Sequence, residues 1–141
     1  MENYSIKLAG WDEIGRQAGA VRFEVFVNEQ NVPLEEELDD EDARAIHVLA
    51  SDGRGIAVGT GRLLGDGHIG RMAVLRPWRG RGVGSAMLLA LVDEARRRGH
   101  GHAVLSAQCH ARAFYAAHGF VAEGGTYMDA GIEHITMRRV L

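Results

Sequence analysis

A single cysteine, Cys109, rules out an internal disulfide, and a lone thiol suits a reducing compartment. No window approaches the apolar length needed to span a bilayer, and the opening MENYSIKLAGWDE lacks a charged region followed by an apolar one. These absences predict a cytoplasmic protein with no membrane partner, and they make Asn3-Tyr4-Ser5 an empty glycosylation match. A basic excess is lacking too: 16 Lys and Arg against 19 Asp and Glu leave a formal net charge of −3. A general nucleic-acid binder needs a broad basic face, so no nucleic-acid partner is expected and any basic function must be local. Lysine itself is almost missing, since Lys7 is the one basic side chain that is not arginine, a bias to which no function attaches. No repeat, low-complexity stretch or linker interrupts the 141 residues, which suit one domain, 1–141, able to bury roughly two-thirds of its unfolded surface. With 46% hydrophobic and 25% charged residues, the composition excludes a disordered tail or a fibre.

Residues 4–8 alternate weakly through Tyr4, Ile6 and Leu8 and predict a short strand ending at Gly10. Ile14, Ala18, Val21 and Val25 then share one helical face, which Trp11-Asp12 opens. The segment FVNEQNVPLEEELDDEDARA loses this period, and Pro33 marks a loop or a break between two helical pieces. Strands are predicted over 45–51, 56–64 and 68–75, joined by SDGRG and GDG turns that suit antiparallel hairpins. From Gly82 the period becomes helical through Leu88, Leu91, Val92 and Ala95, and Arg96-Arg97-Arg98 before Gly99 supply a cationic last turn and a stop. A strand over 103–107, a helix over 110–118 closed by Gly119, and a hairpin of 120–128 and 133–140 around DAG complete the order. The expected fold class is α+β, a mixed sheet with helices on its faces.

One corner stands out. RPWRGRGVGSAM, 76–87, sets three arginines and three alternate glycines within nine residues, between a strand end and the start of the long helix. Glycine exposes backbone N–H groups, and a helix N-terminus adds its dipole, so the guest is expected to be an anion that approaches the main chain closely. The spacing is neither G-x-x-x-x-G-K-[ST] nor G-x-G-x-x-G, which disfavours kinase-type and dinucleotide readings.

Arg79-Gly80-Arg81-Gly82-Val83-Gly84 resembles the [RQ]-x-x-G-x-[GA] pyrophosphate loop of the GNAT superfamily of acyl-CoA-dependent N-acyltransferases. The surrounding IGRMAVLRPWRGRGVGSAMLLALVDEARRRG and the downstream AVLSAQCHARAFYAAHGF are similar to that family's successive strand, loop and helix units. VFVNEQNVP, AQCHARAFYAAHGF and GIEHITM resemble its ElaA-like branch in particular, so the likeness covers nearly the whole chain. The resemblance implies a GNAT fold, a central, mostly antiparallel sheet of about seven strands flanked by helices. It also implies that acetyl-CoA is the acyl donor, that a small-molecule or peptide amine is the acceptor, and that a homodimer is plausible. Backbone amides of Arg81, Gly82, Val83, Gly84 and Ser85 would cradle the CoA pyrophosphate, with Arg79 and Arg81 as charged partners. The acyl-pantetheine arm would lie along Met72, Ala73 and Val74, where a backbone N–H would polarise the thioester carbonyl.

Acyl transfer from a thioester needs a neutral amine, a stabiliser for the oxyanion and a proton donor for the leaving thiolate. Tyr115, in a segment similar to the family's LYxxxGF, is the candidate donor; the competing reading is a core aromatic. Gln108 stands where the family often has asparagine, which puts that cofactor contact in doubt. For the base, Glu29 and His134 are favoured over His47 and His110, although each histidine alone also suits a structural place. Cys109 reads as a small buried hydrophobe before it reads as an acyl carrier. The run 35–42 carries seven acids in eight positions and is either a lure for a cationic amine or a solvated loop. His100 and His102 have no third partner, so no metal is expected. The alternative to an enzyme is a binding or regulatory module that keeps the acyl-CoA cradle without turnover.

Overall fold

The computed structural model describes residues 3–141. Seven strands form one sheet: β1 (Tyr4–Gly10), β2 (Ile46–Asp52), β3 (Ala57–Leu63), β4 (His68–Val74), β5 (His102–Gln108), β6 (Val121–Asp129) and β7 (Ile132–Val140), in the order β1-β2-β3-β4-β5-β7-β6. Every neighbouring pair is antiparallel except β4 with β5, which run parallel. That pair is short, with His68 opposite Val104 and Ile69 opposite Leu105 and no register beyond. Below Ile69 the sheet therefore splits into two wings.

Helices cover both faces. In β2, Val48 packs into the cluster under the long helix α3 (Val83–Arg97), while its neighbour Leu49 packs into the cluster under α1 (Trp11–Arg22), as strand alternation requires. Val83, Met87, Leu88, Leu91, Val92 and Ala95 put a continuous apolar face of α3 against the sheet and are essentially fully buried. Truncating Leu88 or Leu91 to alanine would cost about 2–5 kcal/mol. Arg96 and Arg97 complement the dipole at the C-terminal end of α3, and Gly99, at φ +87°, turns the chain out of it.

The apolar face expected through Val25 is continuous, but its geometry changes on the way: α1 passes at Phe23 into wider π-helical turns that run to Glu29. Past Pro33 come a single helical turn, α2 (Leu34–Glu37), and a 3-10 turn over Asp40–Arg44. The helix expected at 110–118 is a 3-10 turn over Cys109–Ala111 followed by α4 (Arg112–Ala117). The last hairpin turns through Ala130 and Gly131, both at positive φ, the two-residue geometry that matches strand twist. Among the described residues no helix is long and apolar enough to cross a membrane.

Candidate active site

Where β4 and β5 part, a cleft of about 860 Å³ opens, lined by Ile69–Val74 on one wall and by Leu105, Ser106 and Gln108 on the other. The glycine corner closes one end. Gly80 and Gly82 take φ +76° and +85°, a conformation that strains any residue with a Cβ. Gly82 is the N-cap of α3 and offers no side-chain cap, so the N–H groups of Val83, Gly84 and Ser85 have no intrahelical acceptor. Gly82, Gly84 and Ser85 line the cleft. A Cβ on Gly84 would lie 3.4 Å from Phe114 Cζ and 3.9 Å from Val74 Cγ2, so the protein has room for alanine there, at the expense of the cleft. Ser85 Oγ and His118 Nε2 are hydrogen-bonded at 2.9 Å.

Arg81 lies over the Trp78 ring at 5.2 Å, which holds the loop's second arginine against the fold. Arg79 is committed in three directions: its Nε donates to the Val74 carbonyl at 2.8 Å, and Nη1 and Nη2 donate to both Glu29 oxygens at 2.6 and 2.8 Å. The structure thus pairs the expected pyrophosphate partner with the expected base. The Arg79 guanidinium holds the Glu29 carboxyl below the usual carboxylate range, so Glu29 is a weak base that braces the loop.

Tyr115 lines the cleft, packed edge-on against Phe114 and Phe120. Burial pushes its phenol up to about 12, which keeps it protonated at neutral pH. His134 also lines the cleft, stacked on Tyr127. Its Nδ1 lies 2.7 Å from the Ile132 carbonyl, which can only accept, so Nδ1 carries a proton, and in the neutral ring the lone pair falls on Nε2. Nε2 has no hydrogen-bond partner among the described residues.

Gln108 and Gln30 exchange two amide hydrogen bonds of 2.9 and 3.1 Å, and His110 Nε2 donates to Gln108 Oε1 at 2.6 Å. The pair ties the segment after α1 to the end of β5, and Gln30 was not legible as its partner because 78 residues separate them. Ser106 and Tyr127 share a hydrogen bond across the same wing. His47 is removed from the cleft: it is 1% exposed and its Nε2 donates to the Asp42 carbonyl. Burial lowers its pKa, so it stays neutral.

At its inward positions, Glu37, Asp39 and Asp42, the acidic run is paired with arginines and is not a solvated loop. Arg22, 2% exposed, donates to Glu37 and to both Asp42 oxygens; Arg62 donates to Asp42 and Asp39; Arg71 donates to Asp39 and to the Glu37 carbonyl. Three guanidinium groups thus meet three carboxylates in one low-dielectric network, and Arg62 and Arg71 also line the cleft. Arg22 further stacks over Trp11 at 5.2 Å.

A seven-stranded mixed sheet split at its parallel pair, with helices on both faces and a glycine-rich helix start at the cleft, matches the fold of acyl-CoA N-acyltransferases. The description "Acetyltransferase (GNAT) domain" fits residues 12–141 of the chain, which belongs to the GNAT acetyltransferase family. The uncharacterized N-acetyltransferase YjcF of Bacillus subtilis is 40% identical over 128 residues, covering 88% of this chain and 91% of that protein. The crystal structure of an acyl-CoA N-acyltransferase from Pseudomonas aeruginosa superposes with a TM-score of 0.83 at 31% identity, over 99% of this chain and 100% of that one. Escherichia coli ElaA, at 26% identity, gives a TM-score of 0.86 over 96% and 99% of the two chains. The expected fold and family are therefore those found.

Proposed function

We propose that this single-domain protein transfers an acetyl or similarly short acyl group from its CoA thioester directly to an amine on a small molecule or peptide in the cytoplasm. One observation carries the reading: the uncapped start of α3, Tyr115 and His134 all open onto the same cleft. The residues fit an acyl-CoA. The amides of Val83, Gly84 and Ser85 supply donors for a pyrophosphate, and charge-assisted bonds of this kind contribute roughly 1.5–3 kcal/mol each. Gly84 leaves the backbone bare where the anion must approach. Arg79, anchored on Glu29 and Val74, stiffens the loop, and Arg81 supplies charge beside it.

In this reading the thioester supplies an activated acyl group, and the chain holds and moves the protons. His134 Nε2 takes the proton released by the attacking amine, directly or through one water. A backbone N–H of Met72 or Val74 stabilises the oxyanion that develops on the carbonyl. Tyr115 gives its phenolic proton to the departing thiolate as the C–S bond breaks and the C–N bond forms. Gln30 and Gln108 shape the acceptor side with neutral donors and acceptors.

The test is thiol release from acetyl-CoA in the presence of small amines and lysine-containing peptides, with unmodified protein and Tyr115→Phe side by side. Amine-dependent release that falls at least tenfold in the variant supports the reading. Release that is amine-independent, or equal in the two proteins, contradicts it.

A further inference from the structure

Arg71 has φ +51°, inside a strand, where a residue with a Cβ is held only by its surroundings. It sits in a bulge. Thr60 lies opposite Ala73 and Arg62 opposite Gly70, so two steps along β3 answer three along β4. The extra residue changes which backbone groups face which way. The Leu75 N–H donates to the Val58 carbonyl, which turns the amides of Leu75 and, two residues back, Ala73 toward β3. Those of Met72 and Val74 then face the opposite side, where β5 has already parted, and the Val74 carbonyl is met there by Arg79. Without the bulge, the phase set at Ile69 would turn Met72 and Val74 toward β3 instead.

The side chain of Arg71 explains what holds this phase. Its Nη2 donates to Asp39 Oδ2 at 3.1 Å and its Nη1 to the Glu37 carbonyl at 3.1 Å. Asp39 is fixed in turn by Arg62 at 2.8 Å and caps the 3-10 turn through the Glu41 N–H. Arg62 belongs to β3, so the clamp joins the bulged strand, its hydrogen-bonded neighbour and the acidic segment at one carboxylate.

We propose that Arg71 is a positioning residue for acyl transfer: clamped by Asp39 and the Glu37 carbonyl, it holds the β4 bulge that presents the Met72 and Val74 N–H groups to the acyl carbonyl. The proposal rests on the acyl-transfer reading above. It assigns the acidic segment a role in the geometry of the donor site, reached through the strand.

Backbone amide resonances of the protein, recorded with CoA and with acetyl-CoA, test it. In the unmodified protein, both ligands shift the amides of residues 82–85, and acetyl-CoA alone adds a shift at Met72 or Val74. Arg71→Gly accepts the positive φ without cost but loses the clamp, and Asp39→Ala removes its anchor. Both variants are expected to keep the response at 82–85 and lose the acetyl-dependent one, while Arg71→Lys restores part of it. Turnover with any amine the unmodified protein accepts should fall roughly 100-fold in Arg71→Gly, the scale of a misplaced donor. An intact acetyl-dependent shift in both Arg71→Gly and Asp39→Ala, or its absence in the unmodified protein despite a response at 82–85, overturns the proposal alone. No response to CoA anywhere overturns the acyl-transfer reading and the proposal with it.

Discussion

Replacing Gly84 by alanine should make the protein more stable and a worse binder of CoA. The residue lies in the first turn of α3 with ordinary helical backbone, so alanine gains by narrowing the unfolded ensemble, by about 0.4–1 kcal/mol. The added Cβ meets Phe114 Cζ at 3.4 Å and Val74 Cγ2 at 3.9 Å, both ordinary van der Waals contacts, so nothing offsets that gain. A thermal midpoint about 1–4 °C higher follows for a chain of this size. The same methyl group occupies the cleft wall beside the free N–H groups at the start of α3, where it forces an anion back from its donors. Losing one charge-assisted bond of about 1.5–3 kcal/mol weakens binding roughly 10-fold to 100-fold. Gly84→Glu adds bulk and like charge and should abolish binding at millimolar CoA. Scanning calorimetry and CoA titration on the same samples read both signs. Unchanged CoA affinity in folded Gly84→Ala would refute the reasoning, because the glycine would then serve only the helix.

Tyr115→Phe should lower kcat by about 10²-fold to 10⁴-fold, as loss of a general acid does, while the CoA dissociation constant stays within about twofold; steady-state thiol release and calorimetry separate the two. Because burial raises the Tyr115 phenol to about 12, the fold favours its protonated form, so this contribution to stability is complete below about pH 10 and is lost as pH rises toward 12, which alkaline thermal melts will detect. Asp39, drawn down to about 2 by Arg62, and Glu94, drawn down to about 2 by Arg97, act in the opposite sense: their contribution is present above about pH 4–5 and is lost as pH falls toward 2, as acid titration of the circular dichroism should show. Arg22→Met leaves Glu37 and Asp42 buried with too little positive charge and should cost about 3–5 kcal/mol in urea denaturation.

Most of the fold was readable because its signals are local. The period of α3, the turn residues between β2, β3 and β4, and the glycines after α3 and α4 each act within a few residues, and the strands lie where alternation put them. The conformation of the glycine corner was readable for the same reason, since the positive φ of Gly80 and Gly82 and the uncapped start of α3 are properties of local backbone. What stayed hidden depends on distant partners. Arg71 takes a left-handed conformation with no glycine or asparagine to mark it, because the contacts that hold it come from residues 37 and 39. Glu29 and Arg79 each looked free as sequence and are bound to each other across 50 residues of chain. The acidic run read as exposed because like charges repel; the arginines that neutralise it sit on α1, β3 and β4.

Calorimetric titration with acetyl-CoA, set against free CoA and ATP, tests the central claim most directly. The account predicts saturable binding of acetyl-CoA and CoA, with ATP far weaker and with binding lost in Gly84→Glu. A folded protein that takes up neither CoA nor acetyl-CoA would contradict it, and the start of α3 would be only a turn.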